Sequence, residues 1–150
     1  MGLKMTAFGQ WEYSCDHEAT VKAYLATEFG GAESCKCNGC RNFIAVRDKV
    51  LPDEFLALLH PLGIEHAKDG EVYHLAQTAP GEHLYGGWFH FAGQLDKTGD
   101  FPAVEITDDF KVWMCSTSAP PIDALKNTPR VQLEFQIGKV PWILNEPELL

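Results

Sequence analysis

The hydrophobic pattern of the chain changes period near Glu71, and that change does most to limit the fold. Before it, apolar residues recur three and four positions apart; after it, they alternate. The first pattern belongs to helices with one buried stripe, the second to strands with one buried face. Helices followed by strands, rather than the two interleaved, point to α+β. We therefore expect an antiparallel sheet from the C-terminal two-thirds, with the N-terminal helices packed on one face.

Particular stretches carry that expectation. Phe8 to Tyr13 is aromatic and partly alternating, as in a first strand. Asp16 can cap a helix carrying Val21, Tyr24, Leu25 and Phe29, with Gly30-Gly31 as its stop. Phe43, Val46 and Val50 share a helical face, so a second helix is expected from Asn38 or Cys40. Pro52 suits a helix start, and Asp53 and Glu54 favour the positive end of its dipole. Phe55, Leu58, Leu59 and Leu62 would form its buried stripe, and Pro61 with Gly63 would end it. Strands are then expected at 71–75 and 84–94, with a hairpin of 103–107 and 110–116 around Asp108-Asp109. In the second strand Tyr85, Gly87, Phe89 and Phe91 share one face; Gly86-Gly87 suggests a bulge or a close backbone approach. Val131, Leu133, Phe135 and Ile137 alternate with Gln132, Glu134 and Gln136, which reads as a strand with one wet face. Val140-Pro141-Trp142 should close the fold, with Glu146 to Leu150 fraying beyond it.

A chain of 150 residues can bury one core, and neither repeat nor linker divides it, so residues 1–150 are expected to form a single domain. The net charge of −9 argues against nucleic acid and anionic membranes and favours, if anything, a basic protein partner. No stretch nears the ~20 apolar residues of a membrane span. Residues 1–6 show no signal-peptide pattern, so a cytoplasmic location, with reduced thiols, is expected. Gly2 followed by Thr6 fits a loose myristoylation pattern without a polybasic patch to support it. Nothing in the sequence sets the oligomeric state.

The chemistry concentrates in Cys35-Lys36-Cys37-Asn38-Gly39-Cys40, where three of the five cysteines fall within six residues. A turn at Asn38-Gly39 can bring their sulfurs onto one ion. Zinc accepts thiolates and takes four ligands in structural sites. Cys35, Cys37 and Cys40 supply three, and Cys15 or His17 could supply the fourth. The plain alternative is three ordinary thiols packed under a helix. A redox reading of Cys37-x2-Cys40 at a helix N-terminus is weaker, because no apolar strand precedes it. The six histidines are scattered; His74 and His90 could face each other across the sheet, with Glu71 or Asp96 near. Ser116-Thr117-Ser118 shows no nucleophile elbow.

Cys35-x-Cys37-x2-Cys40-Arg41-Asn42-Phe43, then Tyr85-Gly86-Gly87-Trp88, then Val140-Pro141-Trp142 resembles a family of small bacterial proteins that carries no assigned activity. The resemblance implies one coherent domain with a shared cysteine site, and no catalytic residue. By analogy with other small acidic bacterial proteins, the expected role is a non-catalytic binding or immunity-like domain with a cysteine-based structural zinc site. The alternative is a metal-dependent or thiol enzyme using the same cluster with an open coordination position.

Overall fold

The computed structural model describes residues 5–97, 99–116 and 119–150. Gly2, with its myristoylation pattern, and Thr117 and Ser118 lie outside the described residues. A seven-stranded antiparallel sheet carries four helices drawn from the first 62 residues, as the change of period predicts. The strands are β1 (Met5–Phe8), β2 (Trp11–Cys15), β3 (Glu71–Ala79), β4 (Glu82–Lys97), β5 (Val104–Thr107), β6 (Phe110–Cys115) and β7 (Arg130–Pro141). The helices are α1 (His17–Leu25), α2 (Gly31–Ser34), α3 (Asn38–Val50) and α4 (Asp53–Leu62). No described helix is long and apolar enough to cross a membrane.

The 16-residue strand β4 is the centre of the sheet. One edge pairs with β7, which continues to β6 and β5. The other edge is shared: β3 pairs with residues 82–88, and β2 pairs with residues 93–97. Between those two partners the edge of β4 has no strand beside it, and buried backbone groups need partners. Helix α1 and its approach provide them. The Tyr24 hydroxyl donates to the His90 carbonyl at 2.7 Å, and the Asp16 amide donates to the Ala92 carbonyl at 2.8 Å. The Ala92 amide donates to Thr20 Oγ1 at 3.0 Å. This job explains why α1 buries Thr20 beside Ala23 and the expected Tyr24, and leaves Leu25 exposed.

Several boundaries differ from the sequence expectation. Residues 8–13 are not one strand: Gly9, at φ +58°, turns the chain between β1 and β2. Helix α1 stops at Leu25, leaving Leu25 and Phe29 exposed. Gly30-Gly31 do not end α1; Gly30 caps and Gly31 begins α2, a four-residue turn absent from the expectation. Asp69 fixes that turn, since its carbonyl accepts from the Gly31 amide at 2.8 Å and its Oδ2 accepts from the Ala32 amide at 3.0 Å. Burial pushes the Asp69 carboxyl up to about 6, against the pull of the Ala32 amide, its own amide and Arg47. The bulge in β4 lies between His83 and Tyr85, while Gly86 and Gly87 keep regular register with Gln136 and Phe135. Their lack of a side chain serves close approach: a Cβ on Gly86 would meet the Tyr73 ring at 2.7 Å, and one on Gly87 the Phe135 ring at 2.8 Å.

The helix-facing side of the sheet is an aromatic core. Phe135 stacks beside Phe55 of α4, Phe43 of α3, and Phe89 and Phe110 of the sheet, with ring centroids 5.5–6.3 Å apart. The opposite face is not wholly wet. Gln132 and His90 are both buried there and bonded to each other at 3.2 Å. The segment after β6 covers them, with the Ala119 amide on Gln132 Oε1 and the Trp88 indole on the Pro120 carbonyl. Glu134 is half-buried and accepts from the Gln132 side-chain amide.

Replacing Phe135 by alanine should cost roughly 3–5 kcal/mol in a denaturant melt, because four rings close around the space it leaves. Glu134→Gln keeps an acceptor for Gln132 and should cost less than about 1 kcal/mol. A larger loss from Glu134→Gln than from Phe135→Ala would contradict this assignment of the two faces.

Candidate metal centre

The cysteine turn is built from the end of α2 to the first turn of α3. Cys35 follows α2 in extended backbone, and Cys37 is the N-cap of α3. The Cys37 sulfur takes the capping role usually filled by an oxygen, accepting from the Cys40 amide at 3.4 Å. Cys40 then stands one turn into the helix beside it. Cys35 Sγ and Cys37 Sγ are 3.2 Å apart, and the sulfurs of Cys35, Cys37 and Cys40 all lie within 4.8 Å of one another. Thiolates about 2.3 Å from a tetrahedral ion sit roughly 3.8 Å apart, so the three need only small adjustments to share one. Cys35 and Cys37 are exposed and Cys40 is buried, its sulfur 3.9 Å from the Val72 carbonyl of β3.

The surroundings treat the thiols differently. Burial opposes ionisation of Cys37, but the amides of Cys40 and Gly39 and the neighbouring thiols outweigh it and lower its pKa. Cys40 is pushed well up, first by burial and then by sharing its site with Cys35 and Cys37. A cation placed among the sulfurs would reverse that repulsion.

Three contacts hold the turn against the sheet and the chain's last residues. The Tyr85 hydroxyl, buried under α3, donates to the Gly39 carbonyl at 2.8 Å. Arg41 grips Glu146 with both guanidinium nitrogens, at 2.5 and 2.9 Å, and its Nε donates to the Lys36 carbonyl at 3.1 Å. The Asn42 side chain donates to the Pro141 carbonyl and accepts from the Ile143 amide. Residues 146–148 therefore do not fray. Glu148 accepts from the Gly81 amide and from His83 Nε2, each at 2.8 Å. The hydrogen bond from His83 holds the Glu148 carboxyl below its usual range. His83 in turn meets His74 Nε2 at 2.7 Å through its Nδ1, so His74 pairs with His83 and not with His90.

The structure gathers Cys35, Cys37 and Cys40 but not the two candidates for a fourth ligand. Cys15 Sγ points to the Leu62 carbonyl at 3.4 Å, and His17 Nδ1 lies 2.9 Å from the Pro61 carbonyl. Both are thus engaged at the end of α4. Sequence reasoning missed Tyr85, Glu146, Glu148 and His83 as supports of the turn. The one signal for them was a run of strand-like residues ending in Val140-Pro141-Trp142, which places a tail close to a bend. Comparison with protein-family models, curated proteins and solved structures found no match.

Alkylation should follow the ionisation order. With metal-free protein and a limiting alkylating reagent, peptide mass mapping should find Cys37 modified ahead of Cys40 at neutral pH, by about tenfold or more in rate. Modification of Cys40 first would contradict the arrangement of donors described here.

Proposed function

We propose that the protein is a non-catalytic binding domain in which Cys35, Cys37 and Cys40 hold one zinc ion, the fourth position being closed by a donor from outside the domain. The convergence of three sulfurs within 4.8 Å carries this reading. The donor set fits: thiolates select zinc and other soft ions over magnesium or calcium. A bound zinc would neutralise the clustered thiolates and lock the turn between α2 and α3, which is otherwise pinned through Gly39 and the residues around it. The net charge of −9 suits a basic protein partner and a cytoplasmic, reducing setting suits free thiols. An immunity-like role, neutralising such a partner, rests on analogy with other small acidic proteins, and the same charge also serves solubility.

One observation favours a second reading. Cys37 is exposed, has a lowered pKa and faces free amides, which are the properties of a nucleophilic thiol. A thiol-dependent or metal-dependent enzyme would use the same three cysteines.

Protein purified without a metal-affinity tag should carry about one zinc ion per chain. Chelation should then lower its melting temperature by several degrees, and Cys40→Ser should prevent loading. Metal-free protein of unchanged stability, still holding a reactive Cys37, would exclude the zinc reading in favour of the thiol one.

A further inference from the structure

A second set of metal-ligating side chains stands apart from the cysteines, where the ends of α3 and α4 meet the loop after α4. His60 lies in the last turn of α4, His66 lies in that loop, and Asp48 lies near the end of α3. His60 Nε2 and His66 Nδ1 are 3.2 Å apart, and the other nitrogen of His66, Nε2, is 3.2 Å from Asp48 Oδ1. The rings are tilted by 43° with centroids 5.4 Å apart, so they meet through their nitrogens rather than by stacking.

The carboxylate decides the tautomer. An ionised Asp48 can only accept, so His66 Nε2 must carry a proton. In a neutral ring, His66 Nδ1 then holds a lone pair, and it is this lone pair that faces His60. Without metal, His60 Nε2–H donates to it. A divalent ion can take the place of that shared proton when His60 carries its proton on Nδ1 instead and the rings turn so that both lone pairs converge on a point beside the line joining the two nitrogens. Bonds of about 2.0–2.1 Å at angles near 90–110° put two coordinated nitrogens roughly 2.8–3.4 Å apart, and the observed separation falls inside that range. His60 is exposed, so its ring can turn to aim at the ion, and solvent can fill the remaining positions. A histidine ligand whose far N–H is held by a carboxylate is the arrangement that fixes ring orientation and raises ligand basicity in metal sites.

We propose that His60 and His66 form a second metal site, for a divalent ion of the zinc, nickel or copper class, with Asp48 as the positioning residue for His66. Imidazole donors select these ions over calcium and magnesium. The proposal does not depend on the cysteine site.

Zinc titration of the full-length protein, followed through the ring nitrogens of 15N-labelled histidine, tests it. The cysteine site is read separately in the same samples from the carbon shifts of Cys35, Cys37 and Cys40. Zinc should move His60 Nε2 and His66 Nδ1 together, in a step distinct from any change at the cysteines. His60→Ala should weaken the effect on His66 by tenfold or more, and Asp48→Asn should weaken it by about tenfold. Ring signals of His60 and His66 that stay fixed at saturating zinc would overturn the site. So would an unchanged response of His66 in the His60→Ala protein. Equal affinity in Asp48→Asn would overturn the role given to Asp48.

Discussion

The hydrogen bond from the Tyr85 hydroxyl to the Gly39 carbonyl ties the cysteine turn to the sheet. Tyr85 is fully buried, so its hydroxyl must find a partner inside the protein, and the helix-start carbonyl of Gly39 accepts from it. Because Tyr85 sits on β4, the position of Gly39 is set by the most heavily paired strand of the fold. Gly39 lies between Cys37 and Cys40, so the two sulfurs inherit that position. The chain's last residues add the other side of the clamp through Arg41–Glu146 and the bonds of Asn42. Arg41 and Glu146 are both well exposed, so that pair orients the tail more than it stabilises it. The buried bonds of Tyr85 and Asn42 carry more of the energy.

The long elements were legible in the sequence because each has one consistent burial environment. Helix α4 buries Phe55, Leu59 and Leu62 of its expected stripe and half-buries Leu58; its acidic first turn and its left-handed Gly63 stop are present, while Pro61 lies inside the helix rather than ending it. Strand β7 alternates from Val131 to Ile137 because Val131, Leu133, Phe135 and Ile137 all face the core. Pattern fails where neighbours override it. Helix α1 is short and buries Thr20 and Tyr24, which read as weak helix formers, because its task is to satisfy the open edge of β4. No local signal reveals that an edge somewhere else in the chain lacks a strand. The burial of Gln132 and His90 was hidden for the same reason: a distant irregular segment covers them.

The candidate site divides along similar lines. Three ligands close in sequence are close in space whatever the fold does, so Cys35, Cys37 and Cys40 could be named from spacing alone. A fourth ligand is a tertiary matter. Cys15 and His17 flank the start of α1, where a ligand pair could sit, yet α4 claims both through the carbonyls of Leu62 and Pro61. The supports in 146–148 looked like a fraying tail because their composition is polar and proline-bearing. They are ordered by Arg41, Gly81 and His83, partners far away in the chain.

The proposed zinc site has three sulfurs and a fourth position filled from outside the domain. X-ray absorption at the zinc edge of the loaded protein reads that coordination directly. The predicted shell is three sulfurs at about 2.3 Å and one oxygen or nitrogen near 2.0 Å. A shell of four sulfurs, or of nitrogen and oxygen alone, would contradict it.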